Sequence, residues 1–311
     1  MSRAPVVVVG ANGLVGSRIA ARLCSRERVI AIGRGPARDE MQGMLASSRD
    51  SQALIEYEEI DLALEGPLQD LIETRRPSAV IFAAGMTDVD ACERDVPMAW
   101  QLNVRSVEEA ALGCRSTSAR FVSLSTDYVF NGASGPYHEE SGTSPRGVYA
   151  RTKRAGEEAA LLLAPNCVVA RVAAIFSGRK GAKKTFAVGV AQALRAGKEV
   201  KAFRDQIVSP TLADNAAELC IAALDSNMQG ILHCAGAEAV TRVDFCQRLA
   251  RKLGADERLV IPTALADLKL LAPRPLSAGL VVERIRTVGG HPLALDVALD
   301  RFLQEEAEAS R

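Results

Sequence analysis

The chain has 311 residues, 48% of them hydrophobic, and its 38 basic and 38 acidic residues give a formal net charge of zero. A chain of this size can bury a large core, as one big domain or two unequal ones. The balanced charge offers no electrostatic footprint for nucleic acid or an anionic membrane, and neither partner is expected. The one local exception is the basic run at 178–184, read as a solvated loop. No apolar run reaches the roughly 18 residues of a membrane span, and the N-terminus enters a strand with no signal-peptide pattern. Seven cysteines, with no C-x-x-C pair, predict reduced, buried thiols and a cytoplasmic location. His138, His233 and His291 are scattered, and no metal site is expected.

The first half alternates short apolar runs with helical patterns. VVVVG (6–10) predicts a strand and Leu14–Leu23 a helix; RVIAIG (28–33) is a second strand, and a third ends at Asp61. LQDLIETRRP is a helix stopping at Pro77, AVIFAAG (79–85) a fourth strand, and 96–115 one long helix. RFVSLST (120–126) is a fifth strand, 149–164 a helix, and CVVARVAAIF (167–176) a sixth strand. Strands apolar throughout and separated by helices predict a parallel sheet covered on both faces, an α/β doubly wound fold of Rossmann type. Beyond about 178 come helices at 185–200, within 203–225, at 241–254 and from about Leu293, with a strand at 230–236 and a Pro-punctuated stretch at 262–285. This predicts a dinucleotide-binding domain over 1–175, with 205–230 also packing on it. A smaller substrate lobe over 176–311 would complete the chain across a discontinuous boundary.

GANGLVG places Gly10, Gly13 and Gly16 directly after the first strand and at the start of a helix. Glycines there permit a tight turn and close backbone approach to a pyrophosphate, and the helix N-terminus offers N–H groups and a positive dipole end. Asn12, Leu14 and Val15 fall inside the same turn. The end of the second strand has no acid for ribose hydroxyls; it has Arg34 and Arg38, which suit a 2′-phosphate. NADP is therefore expected, with NADPH preferred over NADH. Asp61 and Leu62 after the third strand are candidates to hold adenine. Ala83, Ala84 and Gly85 offer small residues after the fourth, where a cofactor can lie close to backbone.

YARTK puts Tyr149 and Lys153 on one face of a helix, one turn apart. An ammonium within about 4–6 Å favours a phenolate and would lower the phenol pKa from its usual value near 10. Just upstream the fifth strand ends in STD, at the edge where parallel sheets bind ligands. Thr126 could hydrogen-bond a substrate carbonyl oxygen while Tyr149 protonates it, leaving Asp127 and Tyr128 to grip other hydroxyls.

These pieces, with AAGMTDVDACERD (83–95), QLNV (101–104), STDYVFNG (125–132), DQIVSPTLADNAAE (205–218) and APRPLSAGL (272–280), resemble the extended short-chain dehydrogenases/reductases. The chain looks most like the dTDP-4-dehydrorhamnose reductase family, over nearly its whole length. The resemblance implies reduction of the 4-keto group of a 4-keto-6-deoxy nucleotide sugar, by an oxidoreductase with a catalytic triad of Thr126, Tyr149 and Lys153. It implies that Lys153 also holds the nicotinamide ribose, that Asn103 serves helix geometry or a relay water, and that Ser125 and Tyr149 touch the cofactor. Thr87, Asn131, Asp205 and Gln206 fall in matched motifs and become substrate candidates, and a homodimer is implied. Ala174 stands where the family has Trp, and LSAGLVVERI replaces an Asn/Ser-rich segment. Asp127-Tyr128 lacks the Asp-Glu pair of related dehydratases. Two further readings remain open here: a non-catalytic subunit like the regulatory subunit of methionine adenosyltransferase, and an epimerase that retains NAD.

Overall fold

Four consecutive valines form β1 (Val6–Val9), buried on both faces, and this is what places it at the centre of a parallel sheet. The computed structural model describes residues 4–50, 55–179 and 185–309. The chain continues through α1 (Gly16–Leu23), β2 (Val29–Gly33), α2 (Asp39–Asp50), β3 (Ile55–Glu59), α3 (Pro67–Arg75) and β4 (Ala79–Phe82). Next come α4 (Val89–Arg94), α5 (Val96–Trp100), α6 (Ser106–Thr117), β5 (Arg120–Thr126), α7 (Gly147–Leu163) and β6 (Cys167–Val172). The later elements are β7 (Ile175–Phe176), α8 (Phe186–Arg195), β8 (Val200–Phe203), β9 (Ile207–Val208), β10 (Thr211–Leu212), α9 (Ala213–Asp225) and β11 (Gly230–His233). The last are β12 (Val240–Thr241), α10 (Arg242–Leu253), β13 (Val260–Thr263), α11 (Glu283–Arg286) and α12 (Leu295–Ala309).

Seven strands form one sheet in the order β11-β6-β5-β4-β1-β2-β3, every neighbouring pair parallel. The doubly wound α/β fold predicted from the sequence is present. Chain direction across the sheet reverses between β1 and β4, and the crevice outside the carboxyl ends at that point is where such sheets bind ligands. One face carries α1, α2 and α9 through Ile19, Leu23, Met41 and Leu219; the other carries α3, α6 and α7 through Leu71, Ile72, Val107 and Ala160. A third core, with Phe176, Leu194, Phe245, Leu249, Leu299 and Phe302, gathers α8, α10 and α12 around β8 and β10.

Two predicted elements are divided in the structure. The apolar run 167–176 breaks after Val172, because Ala174 takes a positive φ of 40° and turns the chain; Ile175–Phe176 then pairs with Thr211–Leu212 outside the main sheet. The predicted helix over 96–115 is α5, a π-helical turn at Gln101–Arg105, and α6. Wide turns of this kind are frequent at functional sites, and here the turn contains Asn103. The third strand stops at Glu59, two residues before the predicted Asp61. Most of the basic run, 180–184, lies outside the described residues.

Candidate active site

The glycine turn is built for close approach. Gly10 has φ +86°, and a Cβ there would lie 2.7 Å from the Ala84 nitrogen; a Cβ on Gly16 would lie 2.2 Å from the Gly10 oxygen. A side chain at either position would push β1 away from β4 or lift α1 from the turn. Gly13 closes the turn by donating to Gly10 O at 2.8 Å. Val15 is buried in the core below, and Leu14 O accepts from Arg18 at 2.6 Å. Gly85, with φ +149°, sits where a Cβ would lie 2.7 Å from Asn103 Oδ1 and 4.0 Å from Lys153 Nζ. The small residues after β4 thus pack directly against the groups expected to do chemistry.

Asn12 reaches sideways to the loop after β2. Its Nδ2 donates to Pro36 O at 3.1 Å and to the Tyr57 hydroxyl at 2.7 Å, and its Oδ1 accepts from Arg38 N at 3.1 Å. Arg34 and Arg38, carried by this loop, are exposed. Asp61 is exposed as well, its Oδ1 closing an Asx turn with Ala63 N at 3.0 Å. The Leu62 carbonyl accepts from Gln101 Nε2 at 3.1 Å and from Ser106 Oγ at 3.3 Å.

At the other end of the crevice, β5 delivers Thr126 and α7 delivers Tyr149 and Lys153. Arg146 is extended and Gly147 has φ +75°, a bend that starts α7 against the carboxyl end of β5. The Tyr149 phenol neighbours the Thr126 side chain, and Tyr128 meets Tyr149 edge-on with ring centroids 5.6 Å apart. Lys153 is 7% exposed and donates from Nζ to Leu124 O at 2.7 Å. Burial lowers its pKa to about 8, with Glu157 acting in the opposite sense.

The expected depression of the Tyr149 pKa is not observed. Burial raises it above its ordinary value, the neighbouring Thr126 hydroxyl opposes that, and Asp127, Tyr128 and Cys92 raise it further. The physical reason is geometric: the Lys153 amine is aimed at the Leu124 carbonyl. Tyr149 is consequently a phenol at neutral pH, the form that gives a proton.

Asp127 is also placed differently from the expectation. It is only 2% exposed, and its Oδ1 accepts from Thr126 Oγ1 at 3.0 Å, so it braces Thr126 from beneath instead of reaching outward. Desolvation raises its pKa to about 7. Thr126 Oγ1 also accepts from Tyr128 N at 3.2 Å. Burial likewise raises the Tyr128 pKa to about 12.

Asn103 is fully buried, and its amide is consumed internally. Nδ2 donates to Met86 O and Thr152 Oγ1, both at 3.1 Å, while Oδ1 accepts from Met86 N at 2.9 Å. It ties the segment after β4 to α7. Ser125, Arg171 and His233 are in register across β5, β6 and β11, and all are buried. Arg171 forms a two-pronged bond with Glu157 at 2.8 Å for each prong, one turn beyond Lys153, and so fixes α7 to the sheet. Ser125 Oγ, Arg171 NH1 and His233 Nε2 have no hydrogen-bond partner among the described residues. His233 gives Nδ1 to Val281 O at 3.0 Å, and burial drops its pKa to about 4.

The remaining substrate candidates divide. Thr87 is exposed. Asn131 Oδ1 closes a local turn, accepting from Ala133 N at 2.9 Å and from Tyr137 OH at 3.1 Å. Asp205 caps the turn at 265–267 through Leu265 N at 2.9 Å. Gln206 is buried and accepts from Arg242 Nε at 3.2 Å. Arg242 was not singled out from the sequence. Its guanidinium stacks over Phe186 at 5.0 Å and acts electrostatically on both Asp127 and Tyr128, and among the described residues no carboxylate lies within ion-pair distance. Burial lowers its pKa. Its sequence context, TRVDF, shows only a capped helix start, with Thr241 Oγ1 accepting from Asp244 N at 3.0 Å. Arg274, in contrast, is paired with Asp90 by two bonds of 2.8 Å.

The seven cysteines are free, six of them buried. Among the described residues no group of three or more His, Cys, Asp or Glu side chains could hold a metal ion, and no helix is long and apolar enough to cross a membrane.

Comparison with known proteins places the chain in a family. A dTDP-4-dehydrorhamnose reductase of Mycobacterium tuberculosis is 34% identical over 281 residues, covering 86% of this chain and 89% of that protein. A dTDP-4-keto-6-deoxy-D-glucose reductase of Streptomyces niveus is 31% identical, covering 72% of this chain and 77% of that protein. The crystal structure of a dTDP-4-dehydrorhamnose reductase from Bacillus anthracis in complex with NADP shares the fold with a TM-score of 0.81 at 20% identity, over 97% of this chain and 99% of that one. The model of the RmlD substrate binding domain family matches residues 4–308, and the chain belongs to that family.

Proposed function

We propose that this protein is an NADP-dependent reductase that transfers hydride to the 4-keto group of a 4-keto-6-deoxy nucleotide sugar. The observation that carries the reading is the convergence of Thr126 and Tyr149 at the carboxyl edge of β5, with Lys153 buried one turn along α7 and next to Gly85. The similar reductases of M. tuberculosis and S. niveus supply the substrate class. Residues 1–175 together with α9 would hold the cofactor, and the lobe around α8, α10 and α12 the sugar nucleotide. The free cysteines favour a reducing, cytoplasmic setting, and the homodimer implied by the family resemblance is part of the proposal.

The residues present suit NADP. Gly10 and Gly16 leave the backbone room that a pyrophosphate needs, and Arg34 and Arg38 supply guanidinium groups for a 2′-phosphate. When bound, NADPH supplies the hydride. Lys153, a buried ammonium beside the small residues after β4, is placed to hold the ribose next to the nicotinamide. Tyr149, held as a phenol by burial, donates its proton to the carbonyl oxygen as that oxygen gains charge. Thr126 polarises the same oxygen by turning its hydroxyl from Asp127, which stays beneath it as an alternative acceptor. Arg242, desolvated and without a carboxylate partner, holds the substrate diphosphate.

The test is a panel of keto nucleotide sugars followed by NADPH absorbance, with NADH as control. Oxidation of NADPH by at least one 4-keto-6-deoxy sugar nucleotide is expected. Inertness toward the whole panel refutes the reading, and NAD retained through purification would favour the epimerase.

A further inference from the structure

We propose that Tyr57 is a positioning residue that sets the NADPH preference, by locking the backbone of the Arg34–Arg38 loop. The inference rests on the NADP reading above and adds a residue to it that binds no part of the cofactor.

Tyr57 lies on β3 opposite Ala31, and its ring projects toward the end of β2. The phenol donates to Gly35 O at 2.6 Å and accepts from Asn12 Nδ2 at 2.7 Å. Asn12 uses its second N–H on Pro36 O at 3.1 Å and its Oδ1 on Arg38 N at 3.1 Å. The donors of these two side chains are spent on each other or on the loop 34–38, and Asn12 Oδ1 accepts from it as well. The fit is tight: a Cβ on Gly33 would lie 2.5 Å from the Tyr57 oxygen and 2.9 Å from Asn12 Nδ2.

Arg34 and Arg38 are themselves exposed, so their side chains cost rotamer entropy to place on a phosphate. Fixing the backbone on either side of Pro36 removes the loop's share of that cost before a ligand arrives. The gain exists only for a ligand that uses the two arginines. A nucleotide without a 2′-phosphate binds the glycine turn and gains nothing from the clamp. The clamp therefore acts on discrimination between cofactors, not on hydride transfer.

The experiment compares Tyr57→Phe with the wild type, alone and on an Arg34→Ala/Arg38→Ala background. Binding of 2′,5′-ADP and of 5′-AMP is measured by calorimetry, alongside kcat and KM for NADPH and NADH. The phenylalanine keeps the ring, and a thermal melt checks that the variant folds. Tyr57→Phe should weaken 2′,5′-ADP and raise KM for NADPH about tenfold, with kcat held, while 5′-AMP and NADH change less than twofold. On the double-alanine background the same substitution should have no further effect. Equal loss for both nucleotides, or an undiminished loss on that background, overturns the inference and leaves Tyr57 as packing. A wild type with no preference for 2′,5′-ADP overturns the cofactor reading and the inference with it; a preference that falls with the arginines and not with Tyr57 overturns the inference alone.

Discussion

The two ends of the crevice are built on opposite plans. At the β5–α7 end, Thr126, Asp127 and Lys153 are all less than 9% exposed, and the chain's own groups hold their polar atoms. At the β2 end the cations are exposed, and only the loop that carries them is fixed, through Asn12 and Tyr57. The difference follows from the work. A proton donor must be held to within a fraction of an ångström and kept in one protonation state, and burial does both. A phosphate clamp needs charge and reach, which water does not prevent if the backbone beneath it is firm.

The largest effect that separates the two ends should come from Tyr149→Phe. Removing the proposed proton donor should lower kcat by about 10²–10⁴-fold while NADPH affinity, measured by fluorescence titration, stays the same. A variant that lost cofactor binding equally would place Tyr149 with the cofactor clamp instead. A smaller change is expected from Arg242→Met, which removes one charge-assisted contact. KM for the sugar nucleotide should rise about 10–100-fold with kcat nearly constant, and the penalty should shrink as ionic strength rises.

A third effect is on stability and tests the burial argument directly. Asp127 has a folded pKa near 7, against an ordinary value of 3.8. Because the folded form holds its proton more tightly, the carboxyl favours folding below about pH 4, and this advantage is lost as pH rises through 7. Asp127→Asn keeps an acceptor for Thr126 and removes the charge. The variant should be more stable than the wild type at pH 8, by at most about 4 kcal/mol, and the difference should vanish by pH 4. Thermal melts across that window would show it. A pH-independent difference would mean that Asp127 is not desolvated as described.

Much of this architecture could be read from the chain because each central strand is apolar on both faces. VVVV and VIAI admit no other placement than the middle of a parallel sheet. The break inside CVVARVAAIF has no mark in the sequence because the run stays apolar across it; only the backbone at Ala174 records the turn. The helix Asp39–Asp50 lacks a clear apolar stripe and gave no signal. At the site, the Tyr149–Lys153 spacing was legible because one helical turn fixes it. The direction of the Tyr149 pKa was not, since burial and the aim of the Lys153 amine decide it, and neither is a property of spacing. Arg242 and Tyr57 were missed for a related reason: each reaches its partners from a distant segment, and nothing local to TRVDF or IEYEEID marks them.

The central claim is that Tyr149 and Thr126 direct hydride from NADPH to one sugar carbon. Its most direct measurement uses NADPH deuterated at the nicotinamide carbon 4, a 4-keto-6-deoxy sugar nucleotide as acceptor, and nuclear magnetic resonance of the product. One deuterium should appear at carbon 4 of the sugar from one face of the nicotinamide, and its rate of appearance should fall about 10²–10⁴-fold with Tyr149→Phe. Deuterium found elsewhere in the sugar, or transfer undiminished in that variant, would contradict the account.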